Sequence, residues 1–424
     1  MDLESCAKWG TNSFDLLLFH RRKRMMSMLI RLFVVLGFLP SLTIDRVIWS
    51  QESVASNSND KSTVTSNEPT EVFAAGMSGF VSIRIPSVLA SKSNVLLAFA
   101  EGRAADQDQA FNRIILRRSF DLGATWSDVK TIAEDENAAL NNPCAVLEET
   151  SGVIFLAYQS YPGTLSERSG QIETGYDGDK IVRCWLISST DDGASWSVPR
   201  EITRKAKREK TVTTIASGPG IGIQLTGSRH KGRLVFPFNE GPFGSWNIYC
   251  IYSDDRGMSW NMGEVASNGS IEVNGKRTSQ VNECQVVELD DGRLMMNSRR
   301  WGGSKVRKAS LSEDGGQTWG PVVDVPEIKD PSCMGSIIRC KNPGENKPSL
   351  LLFSGPNSDK RSNGTIFVSE DQGKTWGKSK VIEPGLFAYS CLVELPDSSV
   401  GCLYEAKDMS KILWTKISIR SLLE

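Results

Sequence analysis

The chain has 424 residues, enough for two or three average domains or one long β-domain, and enough to bury a core without metal or disulfide staples. Its 49 lysines and arginines balance 50 aspartates and glutamates, a net charge of −1, which excludes the basic excess of a nucleic-acid footprint. Only His20 and His230 are present, so histidine chemistry has almost no material, and the nine cysteines form no Cys-x-x-Cys pair.

In chain order, residues 1–50 read as an N-terminal extension carrying a secretion signal: Arg21-Arg22-Lys23-Arg24, then three methionines at 25, 26 and 28, any of which can start the chain, then an apolar run from Leu29 to Ile44 interrupted by Arg31. That run is short for a membrane span, so no stable span is expected after signal cleavage; an uncleaved anchor is the alternative. Residues 51–70, rich in Ser, Asn and Thr, read as a flexible linker. From residue 71 to 424 short apolar runs alternate with Gly, Asn and Asp, the pattern of one all-β domain.

Within that domain one octapeptide recurs. Ser-x-Asp-x-Gly-x-(Ser/Thr)-Trp begins at Ser119, Ser189, Ser253, Ser312 and Ser369, at spacings of 70, 64, 59 and 57 residues. Asp bonds nearby backbone, Gly accepts positive φ, and the closing Trp anchors the turn on a core. Strand–turn–strand units at this period indicate propeller blades, with the boxes as staples. Strands near Val72-Phe73 and over Lys411–Ile419 are placed to close the ring, and Asp177-Gly178, Asp192-Gly193, Asp291-Gly292 and Asp314-Gly315 are hairpin signals. Gly218-Pro219-Gly220-Ile221-Gly222 looks like a phosphate loop, but no helix pattern follows it. Asn268 and Asn363 head glycosylation sequons. Cys333 and Cys340 are the nearest cysteines and could close a loop disulfide in an oxidising compartment; buried thiols are the expected state of most of the others.

Three arginines stand out: Arg84 inside the apolar Ser82–Pro86 run, Arg299 at the end of Leu294–Arg299, and Arg361 just before Thr365–Val368. A charge in such a strand is costly unless it is paired or faces a cleft. On these residues the sequence resembles the bacterial-type exo-sialidases (neuraminidases), retaining glycosidases with Asp-box (BNR) repeats on a six-bladed β-propeller. The likeness runs from about Val72 to Ile419, and Arg84-Ile85-Pro86 is the discriminating match.

The resemblance implies that Arg84, Arg299 and Arg361 clamp a sugar carboxylate, for which the guanidinium fork is suited. It implies Tyr389 as nucleophile, Glu283 as the base assisting it, and Asp108 as acid/base, with Asp106 as the runner-up. Arg103 would approach the sugar ring and Glu405 would orient Arg84. Asn142-Pro143 and Gly218–Gln224 resemble family segments only in loop shape. The implied activity is release of terminal α-linked sialic acid from glycoconjugates, without a cofactor, by a secreted or periplasmic protein. Alternatives are a sialic-acid-binding propeller without turnover, an Asp-box glycosidase acting on neutral glycans, and a structural propeller. A trans-sialidase needs an acceptor aromatic at the rim, for which Tyr161 and Trp246 are candidates, with burial in the core the expected fate of Trp246.

Overall fold

The structure, a computed structural model, describes residues 68–424 apart from 228, 268 and 274. The expected secretion signal, most of the linker and the sequon at Asn268 lie outside the described residues.

Among the described residues, strand runs rich in Val, Ile, Leu and Phe form six mainly antiparallel sheets of four or five strands, the blades of a six-bladed β-propeller, besides a separate two-stranded hairpin, Ser270–Val273 with Lys276–Ser279. Blade 1 is Ser82–Ala90, Leu96–Arg103, Arg113–Ser119 and Lys130–Ala133. Blade 2 is Ala138–Glu148, Val153–Pro162, Arg183–Ser189 and Arg200–Glu201, with Gly220–Ile221 added in parallel to its inner strand. Blade 3 pairs Ile215–Ser217 and Ile223–Gln224 with Leu234–Glu240, followed by Asn247–Ser253 and Asn261–Met262. Blade 4 is Val281–Glu288, Leu294–Arg300, Val306–Ser312 and Val323–Lys329. Blade 5 is Ser336–Cys340, Leu350–Pro356, Ser362–Ser369 and Lys378–Leu386. Blade 6 is Ser390–Glu394, Ser399–Ala406 and Lys411–Ser418, and its outer strand is Thr70–Ala74 from the other end of the chain. The expected closure is therefore present, with Phe73 opposite Ile412; Ile419, expected in the closing strand, instead begins the short helix Ile419–Leu423.

The five octapeptides all join a third strand to a fourth. In each, the Ser hydroxyl donates to Asp Oδ1 at 2.8 Å, and the following Ser/Thr amide donates to the same oxygen at 2.8–2.9 Å. Both the residue before the box glycine and the glycine itself have positive φ, for example Leu122 at 56° and Gly123 at 92°. The glycine is also needed for space. A Cβ at Gly123 would lie 1.9 Å from Trp414 of blade 6, and one at Gly193 2.4 Å from Leu97 of blade 1. Box tryptophans cross the same seams: Trp126 meets Trp414 edge-on at 5.8 Å, and Trp196 meets Phe99 at 5.8 Å. The boxes are thus seams between blades as well as turns within them.

Of the four Asp-Gly signals, Asp291-Gly292 makes the tight turn between inner and second strands of blade 4. Asp192-Gly193 and Asp314-Gly315 belong to boxes, and Asp177-Gly178 sits in the long connection after Pro162. Gly218–Gly222 lies among the short inner strands of blades 2 and 3, with no helix after it. Cys333 and Cys340 are both buried free thiols, so the possible loop disulfide is not formed. No helix among the described residues is long and apolar enough to cross a membrane.

Register separates the two ends of the propeller. Ala90 pairs with Leu96 and Leu96 with Ser119, so the turn between inner and second strands and the octapeptide share one end. Arg84 pairs with Glu101 and Ser82 with Arg103 at the other end.

Candidate active site

At that second end, inner strands begin and second strands finish, and the charged candidates meet there. Three inner strands carry a bulge at this end: between Arg84 and Ser87, between Asn141 and Cys144, and between Val281 and Cys284. Bulges re-aim side chains and are common beside active sites. The first leaves Ile85 at φ 65°, an outlier for a β-branched residue, and Asn142 of the second stands at 56°. Glu405 secures the first: its Oε1 accepts the Ile85 amide at 2.9 Å.

Glu405 also accepts two parallel bonds from Arg84, from Nε at 2.7 Å and from Nη2 at 2.9 Å, and its Oε2 accepts the Tyr389 amide at 3.2 Å. It is fully buried. Burial pushes its carboxyl up, but Arg84 and these donors outweigh burial and hold it below the usual range. One carboxylate therefore fixes the arginine and the backbone of the tyrosine.

The Tyr389 hydroxyl donates toward both oxygens of Glu283, at 2.6 and 2.7 Å, and accepts from Arg299 Nη1 at 2.7 Å. Arg299 Nη1 also donates to Glu283 Oε2 at 2.5 Å. Burial pushes the Tyr389 phenol well above its ordinary value; Arg299 opposes this and the charge of Glu283 adds to it. The guanidinium carbons of Arg84 and Arg361 lie 5.8 and 5.4 Å from the centre of the Tyr389 ring. The three arginines thus converge on one phenol. Arg361 is held by the Ser332 carbonyl at 3.0 Å.

Across the cavity, Arg103 donates to buried Glu101 through Nε and Nη2 at 2.9 and 2.7 Å, and to Asp108 Oδ1 at 3.1 Å. The Asp108 carbonyl accepts from Asn112 at 2.6 Å and Asn141 at 2.8 Å, which pins the loop while its carboxylate stays 64% exposed. Asp108 lines the cavity and Asp106 does not. Burial outweighs Arg103 at Glu101 and pushes that carboxyl up. The cavity, about 250 Å³, takes in Arg84, Arg103, Asp108, Glu283, Arg299, Arg361 and Tyr389. A wider groove of about 1200 Å³ lies at the opposite end, away from the three arginines, and two of its carboxylates are occupied: Glu394 accepts the Lys341 amide and Asp397 pairs with Lys416. The chemistry belongs to the smaller cavity.

Several contributors were not singled out by sequence. Glu101 was legible in principle, since residues 101 and 103 of one strand face the same side. Asn141 and Asn142 stand on the bulged inner strand of blade 2, where Asn142-Pro143 was matched only for loop shape, and Glu167 lies in the connection after Pro162 and gave no local signal. Burial, with Glu283 and Asp108 nearby, pushes Glu167 up to about 7. Tyr161 and Trp246 line the cavity but are buried at 3% and 2%, so neither is a rim aromatic. The more open aromatic there is Phe243, edge-on to Trp246 at 5.1 Å.

Residues 94–402 match the family model of the BNR repeat-like domain. The chain is 34% identical over 342 residues to a sialidase of Micromonospora viridifaciens, covering 78% of this chain and 50% of that protein, so it spans about half that relative's length. It is 28% identical over 375 residues to Sialidase-2 of Cricetulus griseus, covering 81% of this chain and 93% of that protein. The solved structure of the Hadza microbial sialidase Hz136 superposes with a TM-score of 0.72 at 26% identity, covering 84% of this chain and 69% of the other. The family match spans well over half of the sequence, and the chain belongs to the sialidase family with BNR repeats.

Proposed function

We propose that this protein is an exo-α-sialidase, a retaining glycoside hydrolase that releases terminal α-linked sialic acid from glycoproteins, glycolipids or oligosaccharides. The observation that carries the reading is the Tyr389 hydroxyl held between Glu283 and Arg299, with Arg84 and Arg361 beside its ring. A carboxylate entering this cavity meets three guanidiniums. A neutral phenol suits an anomeric carbon that already bears a carboxylate, because an anionic nucleophile would be repelled; sialidases with a tyrosine nucleophile are a known departure from the two-carboxylate scheme.

In the first step Asp108 gives a proton to the leaving oxygen as the glycosidic bond breaks. The Tyr389 oxygen bonds to the anomeric carbon and its proton passes to Glu283. In the second step water attacks the same carbon with Asp108 as base, the tyrosyl–sugar bond breaks, and Glu283 returns the proton to Tyr389. Two displacements give net retention. Arg103, tied to Glu101, faces the sugar ring, and Glu405 keeps Arg84 in place. The basic and then apolar segment before residue 50 supports an exported protein.

The test is hydrolysis of a fluorogenic α-sialoside by the full chain, with the first-formed anomer read by NMR. Turnover that releases the α-anomer first is expected, with a loss of more than about 10³-fold in Tyr389→Phe and about 10²–10⁴-fold in Asp108→Ala. Sialic-acid binding without turnover by the parent would replace the hydrolase reading with a binding module.

A further inference from the structure

Behind the cavity lies a buried pair that the mechanism above does not use. Asp330 and Arg307 are exposed by 2% and 1%, and Arg307 Nη1 donates to Asp330 Oδ2 at 3.1 Å. Asp330 precedes the inner strand of blade 5 and is saturated with bonds. Its Oδ2 accepts the Arg300 amide at 2.7 Å, its carbonyl accepts Arg300 Nε at 2.9 Å, and its Oδ1 accepts the Cys333 amide at 2.9 Å. Arg307 closes the loop from the other side, donating to the Cys333 carbonyl at 2.8 Å and to Asn297 Oδ1 at 2.8 Å.

Both ends of this network reach the cavity. Arg300 follows Arg299, the arginine that bonds the Tyr389 hydroxyl. On the other side, Asp330 and Cys333 bracket Ser332, a non-glycine residue at φ 60°. That strained residue presents the carbonyl that holds Arg361 at 3.0 Å. Cys333 and Met334 also pack in one apolar cluster with Ile85, Ala388 and Tyr389. Two of the three arginines thus take their placement from a single carboxylate that does not line the cavity.

We infer that Asp330 is a positioning residue for the substrate carboxylate, acting through Arg299 and Arg361. The inference rests on the sialidase reading. A buried ion pair of this kind also has a purely structural explanation, since breaking it leaves Arg307 as an uncompensated charge. The two differ in what they do to the clamp. Displacing guanidiniums by a fraction of an ångström weakens carboxylate binding in a protein that still folds. A structural loss reduces the folded fraction and leaves the surviving sites unchanged.

The experiment compares the full chain with Asp330→Asn, Arg361→Lys and the double variant on a fluorogenic α-sialoside. Binding of free N-acetylneuraminic acid and of its methyl ester is measured alongside. Asp330→Asn should raise KM about tenfold or more with a smaller change in kcat, the signature of lost uniform binding. It should also compress the preference for acid over ester by about tenfold. The double variant should fall short of the product of the single effects, because both act on Arg361. Strictly multiplicative effects with an unchanged acid-to-ester ratio would overturn the inference. If Asp330→Asn does not fold, Arg307→Gln with Asp330→Asn removes both charges together and avoids an orphan. A folded pair with raised KM supports the inference, and a folded pair with the parent KM overturns it. A folded parent without turnover sinks the sialidase reading instead, and the acid-to-ester ratio alone then decides for or against Asp330.

Discussion

The two ends of the propeller are built from the same strands and solve opposite problems. At the box end, five aspartates sit in near-identical turns, each with its oxygens filled by a neighbouring hydroxyl and amide. At the cavity end nothing repeats: Arg84, Arg103 and Arg299 each have a different carboxylate partner, and three inner strands are bulged. Repetition spreads stability over many seams, so each box carries a small share. The cavity concentrates charge where low dielectric makes both pairing and mispairing expensive.

Substitutions should expose this asymmetry. The largest effect is expected from Glu405→Ala, which leaves Arg84 without its partner and the Ile85 and Tyr389 amides without an acceptor. A stability loss of about 3–5 kcal/mol in chemical denaturation, with loss of sialoside turnover, is expected; a stable variant would refute the account of Glu405 as the anchor of the clamp. Next comes Gly123→Ala, which places a Cβ 1.9 Å from Trp414 Nε1 at φ 92°. About 3 kcal/mol of destabilisation with unchanged kcat/KM in the folded fraction should appear in melting and kinetic assays. A changed KM would mean that the two ends are coupled.

Glu167→Gln sharpens the comparison through pH. The folded-state pKa of Glu167, about 7, lies above its ordinary 4.5. Relative to a neutral side chain, the carboxyl therefore costs nothing below pH 4.5 and progressively more as pH rises to about 7. The variant should melt like the parent at pH 4 and higher than the parent at pH 8; equal melting at both would deny the burial of this carboxyl. The smallest effect belongs to a single box. Asp191, held down to about 2 chiefly by the Ser195 hydroxyl and amide, contributes stability that is present above its ordinary 3.8 and lost as pH falls toward 2. Asp191→Asn should cost about 1 kcal/mol at pH 7 and flatten the melting curve against pH between 4 and 2. A loss as large as that of Glu405→Ala would show that the boxes do not share their load.

The same contrast explains what could be read from sequence. The boxes were legible because their defining chemistry is local: the bonds from the Ser hydroxyl and the Ser/Thr amide to the box Asp close within five residues, and five copies rule out accident. The arginines were legible as anomalies, charges in apolar strands, and the Arg84-Ile85-Pro86 match gave them a shared meaning. Their partners were not legible from any local rule, since Arg84 and Glu405 are 321 residues apart. Glu167 and Asp330 escaped for the same reason: each is an ordinary acidic residue in its own segment and becomes unusual only when several segments converge, whereas Glu101 could have been read from its two-residue spacing to Arg103. The bulges leave no compositional mark, and the hairpin signals overcounted because an Asp-Gly pair serves a box as well as a two-residue turn.

The last blade borrows its outer strand, Thr70–Ala74, from the opposite end of the described chain, and this blade supplies both Tyr389 and Glu405. During synthesis Arg84 emerges early and waits for its counter-charge until almost everything between them has been made. A propeller left open at this seam can have most of its blades and no assembled cavity. On the proposed mechanism, hydrolytic competence depends on the joining of the ring, and a partly made molecule is expected to be catalytically silent.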